Sequence, residues 1–156
     1  MHEQVRSQNH PSTAIEAATG LNEEMIEAVV RGFYGRVRCD DLLGPVFAAR
    51  IDDWETHLER MCRFWSSVAL MTGSYHGQPV PAHLPLPVDG RHFDRWLDLF
   101  AVTVNELCTP AGAAHLMERA RRIAQSLELA IGCDHGTVLN RGERYRNPRL
   151  DAAADR

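Results

Sequence analysis

The stretch that most constrains the fold of this chain is the run from residue 72 to residue 90, which holds three glycines and four prolines. Proline removes a backbone donor and clashes inside a helix, so any helix in this run is limited to about one turn. Apolar residues are interspersed among the prolines, namely Val80, Leu84, Leu86 and Val88. Long loops in small domains are usually functional or disordered. The apolar side chains favour an ordered, packed loop, which would hold His83 in place.

Amphipathic helices are predicted on both sides of this run, because apolar residues recur there at intervals of three and four. The predicted helices cover residues 21–39, 53–71, 89–107 and 109–132, and the predicted N-caps are Asn22, either Asp52 or Asp53, Asp89 and Thr109. We expect Gly132 to end the last of them. Between the first two, Gly44-Pro45 predicts a tight, buried connection instead of a helix. No segment shows the alternation typical of a strand, so the predicted fold class is all-α.

The two ends of the chain differ in composition from its centre. Residues 1–20 are predicted to form a partly helical N-terminal extension, with a short helix that stops at Gly20. Residues 135–156 contain several arginines and few apolar residues, which predicts a polar, flexible C-terminal tail. The sequence therefore predicts one globular domain over residues 21–134.

The composition limits the possible classes of function. The net charge of −4 argues against nucleic acid as a partner, because phosphate binding needs a basic face. All 17 basic residues are arginines, which excludes a lysine Schiff base. No apolar run is long enough to span a membrane, and the N-terminus lacks the apolar core of a signal peptide, so we expect a cytoplasmic protein without a membrane partner. The four cysteines form no Cys-x-x-Cys pair, which disfavours structural zinc.

A few polar side chains fall on otherwise apolar faces, namely Tyr34, His57, His83 and Trp96. Buried polar groups must be hydrogen-bonded or used by a ligand. A helix-borne and a loop-borne histidine among large apolar side chains could enclose a flat, iron-bearing cofactor. Two alternatives stay open from the pattern alone. The first is a helical interaction domain in which these groups are structural, and the second is a non-haem metal enzyme using His57, His76, His83 or His92.

Several separated motifs carry a family resemblance over about residues 22–132. They are Phe33-Tyr34, Leu43-Gly44-Pro45-Val46-Phe47, Asp53-Trp54 through His57, Phe64-Trp65, Tyr75-x-Gly77-x-Pro79-x-x-x-His83, and His92-Phe93-x-x-Trp96-Leu97-x-Leu99-Phe100. In this order and spacing they resemble the truncated haemoglobins, or 2/2 globins, and specifically group III. The double-glycine motifs that mark the first two groups are missing, which fits the third.

The resemblance implies a truncated globin-like, 2-over-2 helical sandwich with a minimal proximal helix in the Pro/Gly-rich loop. The implied cofactor is haem b, iron protoporphyrin IX, held non-covalently; the absence of Cys-x-x-Cys-His agrees with non-covalent binding. By position, His83 resembles the proximal iron ligand, and Tyr34, His57 and Trp96 resemble the distal ligand-binding groups. The residues expected to pack on the haem are Phe33, Phe47, Met61, Phe64 and Phe93. Arg60 and Arg63 are the propionate candidates.

The implied function is binding of O2 and other diatomic gases, NO and CO. A distal side rich in donors favours NO or peroxide detoxification over O2 delivery, because donors polarise an O–O bond. An NO dioxygenase or peroxidase-like activity is left open, together with an unidentified reductase as partner. His57 remains a hydrogen-bond donor, a gate or a sixth iron ligand at this stage.

Overall fold

The computed structural model describes residues 10–154, and this part of the chain contains helices and no strands. The helices are α1 Pro11–Thr19, α2 Glu23–Cys39, α3 Leu43–Ala48, α4 Trp54–Leu70, α5 Pro79–His83, α6 Gly90–Leu107, α7 Pro110–Asp134 and α8 Pro148–Ala154. The all-α prediction is confirmed. The predicted N-terminal extension is helical from Pro11 to Thr19, and its first nine residues lie outside the described part. No helix of residues 10–154 has the length and apolarity to cross a bilayer.

The long helices begin at the residues predicted as caps. The Met25 amide donates to Asn22 Oδ1 at 2.8 Å, and the Thr56 amide donates to Asp53 Oδ1 at 3.1 Å. Asp89 and Thr109 accept amide hydrogen bonds in the same way at the starts of α6 and α7. These side chains satisfy amides of the first turn that have no intrahelical partner.

Four long helices pack around one apolar core. Helix α2 packs against α4 and α6, and α7 packs against the same two helices. The apolar face of α2 is buried, with Phe33 only 1% exposed and Val37 fully buried. The Phe33 and Phe100 rings meet edge-to-face, with centroids 5.3 Å apart. This is the predicted two-over-two arrangement, and it leaves one end of the bundle to be closed by α3, α5 and the loops beside them.

The connection around Gly44-Pro45 differs from the prediction, because it is the short helix α3. Pro45 lies in the first turn, where the missing amide would have had no intrahelical partner. The amides of Leu42 and Leu43 donate to Asp40 Oδ2 at 3.1 and 3.0 Å. A Cβ on Gly44 would lie 3.0 Å from a backbone carbonyl oxygen of α2, so glycine permits the close approach of the two helices.

The Pro/Gly-rich run contains only the five-residue helix α5, as the prolines predicted. Hydrogen bonds to α4 order the chain before α5: the Tyr75 amide donates to Ser67 Oγ at 2.8 Å, and Ser74 Oγ donates to the Arg63 carbonyl at 3.2 Å. Helix α5 itself packs against α7. The loop is therefore held at both ends, and His83 occupies a fixed position.

The C-terminal segment differs from the predicted flexible tail. Tyr145 is 2% exposed and Asn147 is 3% exposed, so this segment is docked on the helices. Helix α7 does not end at Gly132 but continues to Asp134. A Cβ on Gly132 would lie 3.3 Å from the Tyr145 ring, which shows that this glycine makes room for Tyr145. The domain boundaries at residues 21 and 134 stay a prediction.

Candidate ligand-binding cavity

A cavity of about 250 Å³ lies between α4, α5, α6 and α7, with α3 at its edge. Most of its lining is apolar, and among the described residues no carboxylate lines it. The polar and basic lining residues are Tyr34, Arg50, His57, Arg60, Tyr75, His83, His92 and Trp96. The structure thus brings together the four polar residues that the sequence predicted to share one site.

Tyr34 reaches the cavity from the middle of α2 and is 5% exposed. Its ring meets the Phe33 ring edge-to-face at 5.0 Å and the Phe47 ring at 5.8 Å. Burial raises the pKa of the Tyr34 hydroxyl, which therefore stays protonated at neutral pH. Within residues 10–154 no hydrogen-bond partner of this hydroxyl is found, so its O–H is free to donate to a ligand.

His57 enters the cavity from the first turns of α4. Its Nε2 is buried and has no hydrogen-bond partner in the described part of the chain. Burial, together with the smaller effects of the Arg60 and His83 charges, lowers the pKa of His57 to about 4, so the ring is neutral at pH 7. A buried polar atom without a partner costs about 1–3 kcal/mol. This cost is expected where a bound group completes the site.

His83 is the last residue of α5 and lines the cavity. Its Nδ1–H donates to the Pro79 carbonyl at 2.5 Å, which fixes the tautomer and leaves the Nε2 lone pair available. Histidines that bind metals are usually oriented by such a bond on the second nitrogen. No group of three or more His, Cys, Asp or Glu residues converges in residues 10–154. A metal on His83 would therefore need ligands that residues 10–154 do not supply, such as the nitrogens of a porphyrin.

Trp96 closes another side of the cavity from α6. Its ring is parallel to the Phe100 ring, with centroids 5.6 Å apart and planes at 3°, and it stacks on Trp65 at 6.4 Å. The Phe33 ring meets the indole edge-to-face, with centroids 5.3 Å apart. Three aromatic neighbours thus fix the indole, and its N–H has no partner among the residues that the structure describes.

The predicted packing residues divide into two sets. Phe47, Met61, Phe64 and Phe93 line the cavity. Phe33 does not line it, which corrects the prediction: its ring lies one layer behind, between those of Tyr34 and Trp96. Its place on the apolar face of α2 could not distinguish a wall residue from one behind the wall.

The two arginines predicted to contact the haem propionates differ in their position relative to the cavity. Arg60 lines the cavity, whereas Arg63 does not and is exposed. Arg50, which was not among the predicted residues, lines the cavity after the end of α3 and donates to the Pro85 carbonyl at 3.0 Å. Arg50 comes three residues after Phe47, so a helical reading of that segment would have suggested it.

Other lining residues were missed or interpreted only as core. Tyr75 packs edge-to-face on Phe64, with centroids 5.2 Å apart. His92 is buried beside the cavity, and its Nδ1 accepts a hydrogen bond from the Asp89 amide at 3.2 Å. Helix α7 contributes Ile123, Ala124 and Leu127, and the sequence pattern had placed all three on its apolar face without indicating a cavity. A periodic pattern does not show which part of a buried face borders a cavity.

Comparisons with known proteins agree with this geometry. The model of the bacterial-like globin family matches residues 15–128. A group 3 truncated haemoglobin of Campylobacter jejuni is 33% identical over 113 residues, which cover 69% of this chain and 89% of that protein. The crystal structure of a group III truncated haemoglobin from C. jejuni superposes with a TM-score of 0.66 over the same shares of the two chains. A group II truncated haemoglobin from Bacillus anthracis, 22% identical with a TM-score of 0.64, covers 85% of this chain and 95% of its own and supports the fold alone.

Proposed function

The chain belongs to the bacterial-like globin family, as a haem-based gas-binding protein of the truncated haemoglobin type, and from that premise we propose how its cavity works. We propose that the cavity holds haem b non-covalently, with His83 as the protein ligand of the iron. The observation that supports this most is the pairing of a backbone-oriented His83 with the unpartnered Nε2 of His57 in one apolar cavity. A haem held there would supply an iron atom that can bind O2, NO or CO.

The residues on the Tyr34 side determine how such a gas is held. Tyr34 O–H and Trp96 N–H are donors that do not titrate near neutral pH. Because His57 is neutral, it offers one N–H and one lone pair. Fixed donors in an apolar site stabilise negative charge that develops on a small ligand. These side chains therefore slow the escape of a ligand that gains negative charge, and they act weakly on CO.

This set of donors suits NO or peroxide detoxification better than O2 delivery. Delivery requires ready release, whereas donors that stabilise developing charge retain the ligand and polarise its O–O bond. Both kinds of turnover consume electrons, so we propose a reductase as partner.

The experiment that tests the cofactor is an absorption spectrum of the purified full chain after addition of hemin. We expect a Soret band that shifts on reduction with dithionite and shifts again with CO. His83→Gly should bind hemin weakly, and added imidazole should restore the wild-type spectrum because it replaces the missing ring. A chain that gives no Soret band after hemin addition would contradict the proposal. A His83→Gly spectrum equal to wild type would reject His83 as the ligand.

A further inference from the structure

The C-terminal residues 143–147, here called the strap, are fastened to two helices of the cavity by Arg144. The Arg144 guanidinium donates to both Glu128 oxygens on α7, with Nε to Oε2 and Nη2 to Oε1 both at 2.9 Å. The same Nη2 donates to Asp94 Oδ1 at 2.7 Å and to the Gly90 carbonyl at 3.0 Å on α6. One side chain thus joins the start of α6 to the C-terminal half of α7. The strap lies beyond the residues that the family model matches.

Backbone hydrogen bonds complete the attachment. The Tyr145 amide donates to Glu128 Oε2, and the Gly90 amide donates to the Tyr145 carbonyl, both at 2.9 Å. The Asn147 amide donates to Asp89 Oδ2 at 3.0 Å. Glu128 is 5% exposed and Asp89 is fully buried. A buried carboxylate is stable only when paired. Glu128 is paired by Arg144 of the strap, whereas Asp89 is paired by Arg91 of α6 and receives one further hydrogen bond from the strap.

The Tyr145 ring lies directly behind the cavity wall. It shares one buried apolar cluster with Val88, Phe93, Ala124 and Leu127, and these four residues line the cavity. The Tyr145 hydroxyl is 2.5 Å from His135 Nδ1, just past the end of α7. Asp89 and Gly90 follow Val88, the last residue of the loop that carries His83. The strap therefore contacts the wall and the end of that loop.

We propose that Arg144 and Tyr145 are positioning residues of the cavity: they hold the first turn of α6 against α7 and so fix the wall on which the cofactor packs. The inference rests on the proposed function, because the cavity is taken to hold haem. Without the strap, the buried carboxylates of Glu128 and Asp89 lose hydrogen-bond partners. The cavity wall also loses its contact with the Tyr145 ring. The wall would then open locally, and the cofactor would leave faster.

The test compares Arg144→Gln with Arg146→Gln in the full chain. Arg146 is the matched control, since its guanidinium pairs with Asp151 within the C-terminal segment. In Arg144→Gln without hemin, we expect roughly tenfold faster amide hydrogen exchange at residues 88–97 and 124–131, as for loss of a charge-assisted hydrogen bond, and unchanged exchange in α2. Loaded with hemin, it should transfer the hemin to an acceptor apoprotein roughly tenfold faster than wild type.

Arg144→Lys should give intermediate rates of amide exchange and hemin transfer, because it keeps the positive charge but loses the bidentate hydrogen bonds to Glu128. It also keeps the test decisive where Arg144→Gln does not fold. Unchanged exchange at residues 88–97 would overturn the inference. Faster exchange with unchanged hemin loss would also overturn it, because the strap would then be only structural. A wild-type chain that takes up no hemin would reject the proposed function, and the exchange data would still decide whether the strap fixes the wall.

Discussion

The His57 and Tyr34 rings meet edge-to-face in the cavity, with centroids 5.0 Å apart and planes at 89°. The two residues come from different helices, and each is surrounded by apolar residues along its own helix. Their meeting depends on the packing of α4 on α2, which brings a phenol and an imidazole to the same side of one space. Within the described residues, the buried Nε2 of His57 has no hydrogen-bond partner, so the pair carries a cost in stability that a bound ligand would relieve.

Removing the Tyr34 hydroxyl should speed the release of O2. Tyr34→Phe keeps the ring contacts and loses one donor, so we expect an O2 dissociation rate at least about tenfold higher, in line with a charge-assisted hydrogen bond of 1.5–3 kcal/mol. Stopped-flow measurement of O2 release provides the check. Tyr75→Phe, which alters the other tyrosine of the cavity, should leave the rate close to wild type. Equal rates in wild type and Tyr34→Phe would remove Tyr34 from the distal side.

Replacing His57 with an apolar residue should stabilise the chain without cofactor. His57→Leu removes a buried nitrogen that has no partner, so the free energy of unfolding should rise by about 1 kcal/mol. Urea unfolding of the cofactor-free protein measures this.

His115→Leu is the matched contrast to His57→Leu, since His115 Nε2–H donates to the Ala69 carbonyl at 2.8 Å. Its loss should lower the free energy of unfolding by about 1 kcal/mol. A stability loss in both variants would mean that the fold requires the His57 ring itself.

Lowering the pH should weaken the attachment of the strap to α6, because Asp89 becomes protonated. Burial raises the pKa of Asp89, but hydrogen bonds from Arg91 and from the Asn147 amide outweigh it and bring the pKa to about 2. Because this pKa lies below the unfolded value of about 3.9, the carboxylate stabilises the fold fully above pH 4, and this contribution is lost as the pH falls towards 2.

Urea unfolding between pH 2 and pH 5 tests this dependence. Asp89→Asn should reduce the pH dependence of stability by about 1–2 kcal/mol over that interval. Asp98→Asn, an exposed position on the same helix, should keep the wild-type dependence. Other acidic N-caps also make the free energy of unfolding depend on pH. The pH dependence of Asp89→Asn should therefore be compared with that of Asp98→Asn.

The sequence predicted the features that depend on local chemistry. Helix caps such as Asn22 and Asp53 were predictable because their side chains bond to amides in the next turn. Tyr34 and His57 stood out because they interrupt apolar faces. Their convergence, however, came from the family resemblance, since periodicity alone does not fix how α2 and α4 cross.

The features that the sequence did not predict depend on contacts distant in the chain. Tyr145 lies in an arginine-rich segment. It is buried because its ring fits against Gly132, which has no side chain, and because its amide donates to Glu128. Helix α3 forms although it contains Pro45, because the proline lies in its first turn and Gly44 lets the helix pack closely on α2. No local pattern carries this information.

The arginines at the cavity should differ in how they retain a cofactor with carboxylates. Arg50 and Arg60 line the cavity and Arg63 does not, so Arg50→Gln and Arg60→Gln should each speed hemin loss about two- to fivefold, as for an exposed ion pair, while Arg63→Gln should match wild type. Hemin dimethyl ester carries no charged carboxylates, so its loss from the same variants should differ little. If Arg63→Gln speeds the loss of hemin but not of the ester, the arginine contacts rearrange on binding, and the cavity-lining arginines are not the anchors.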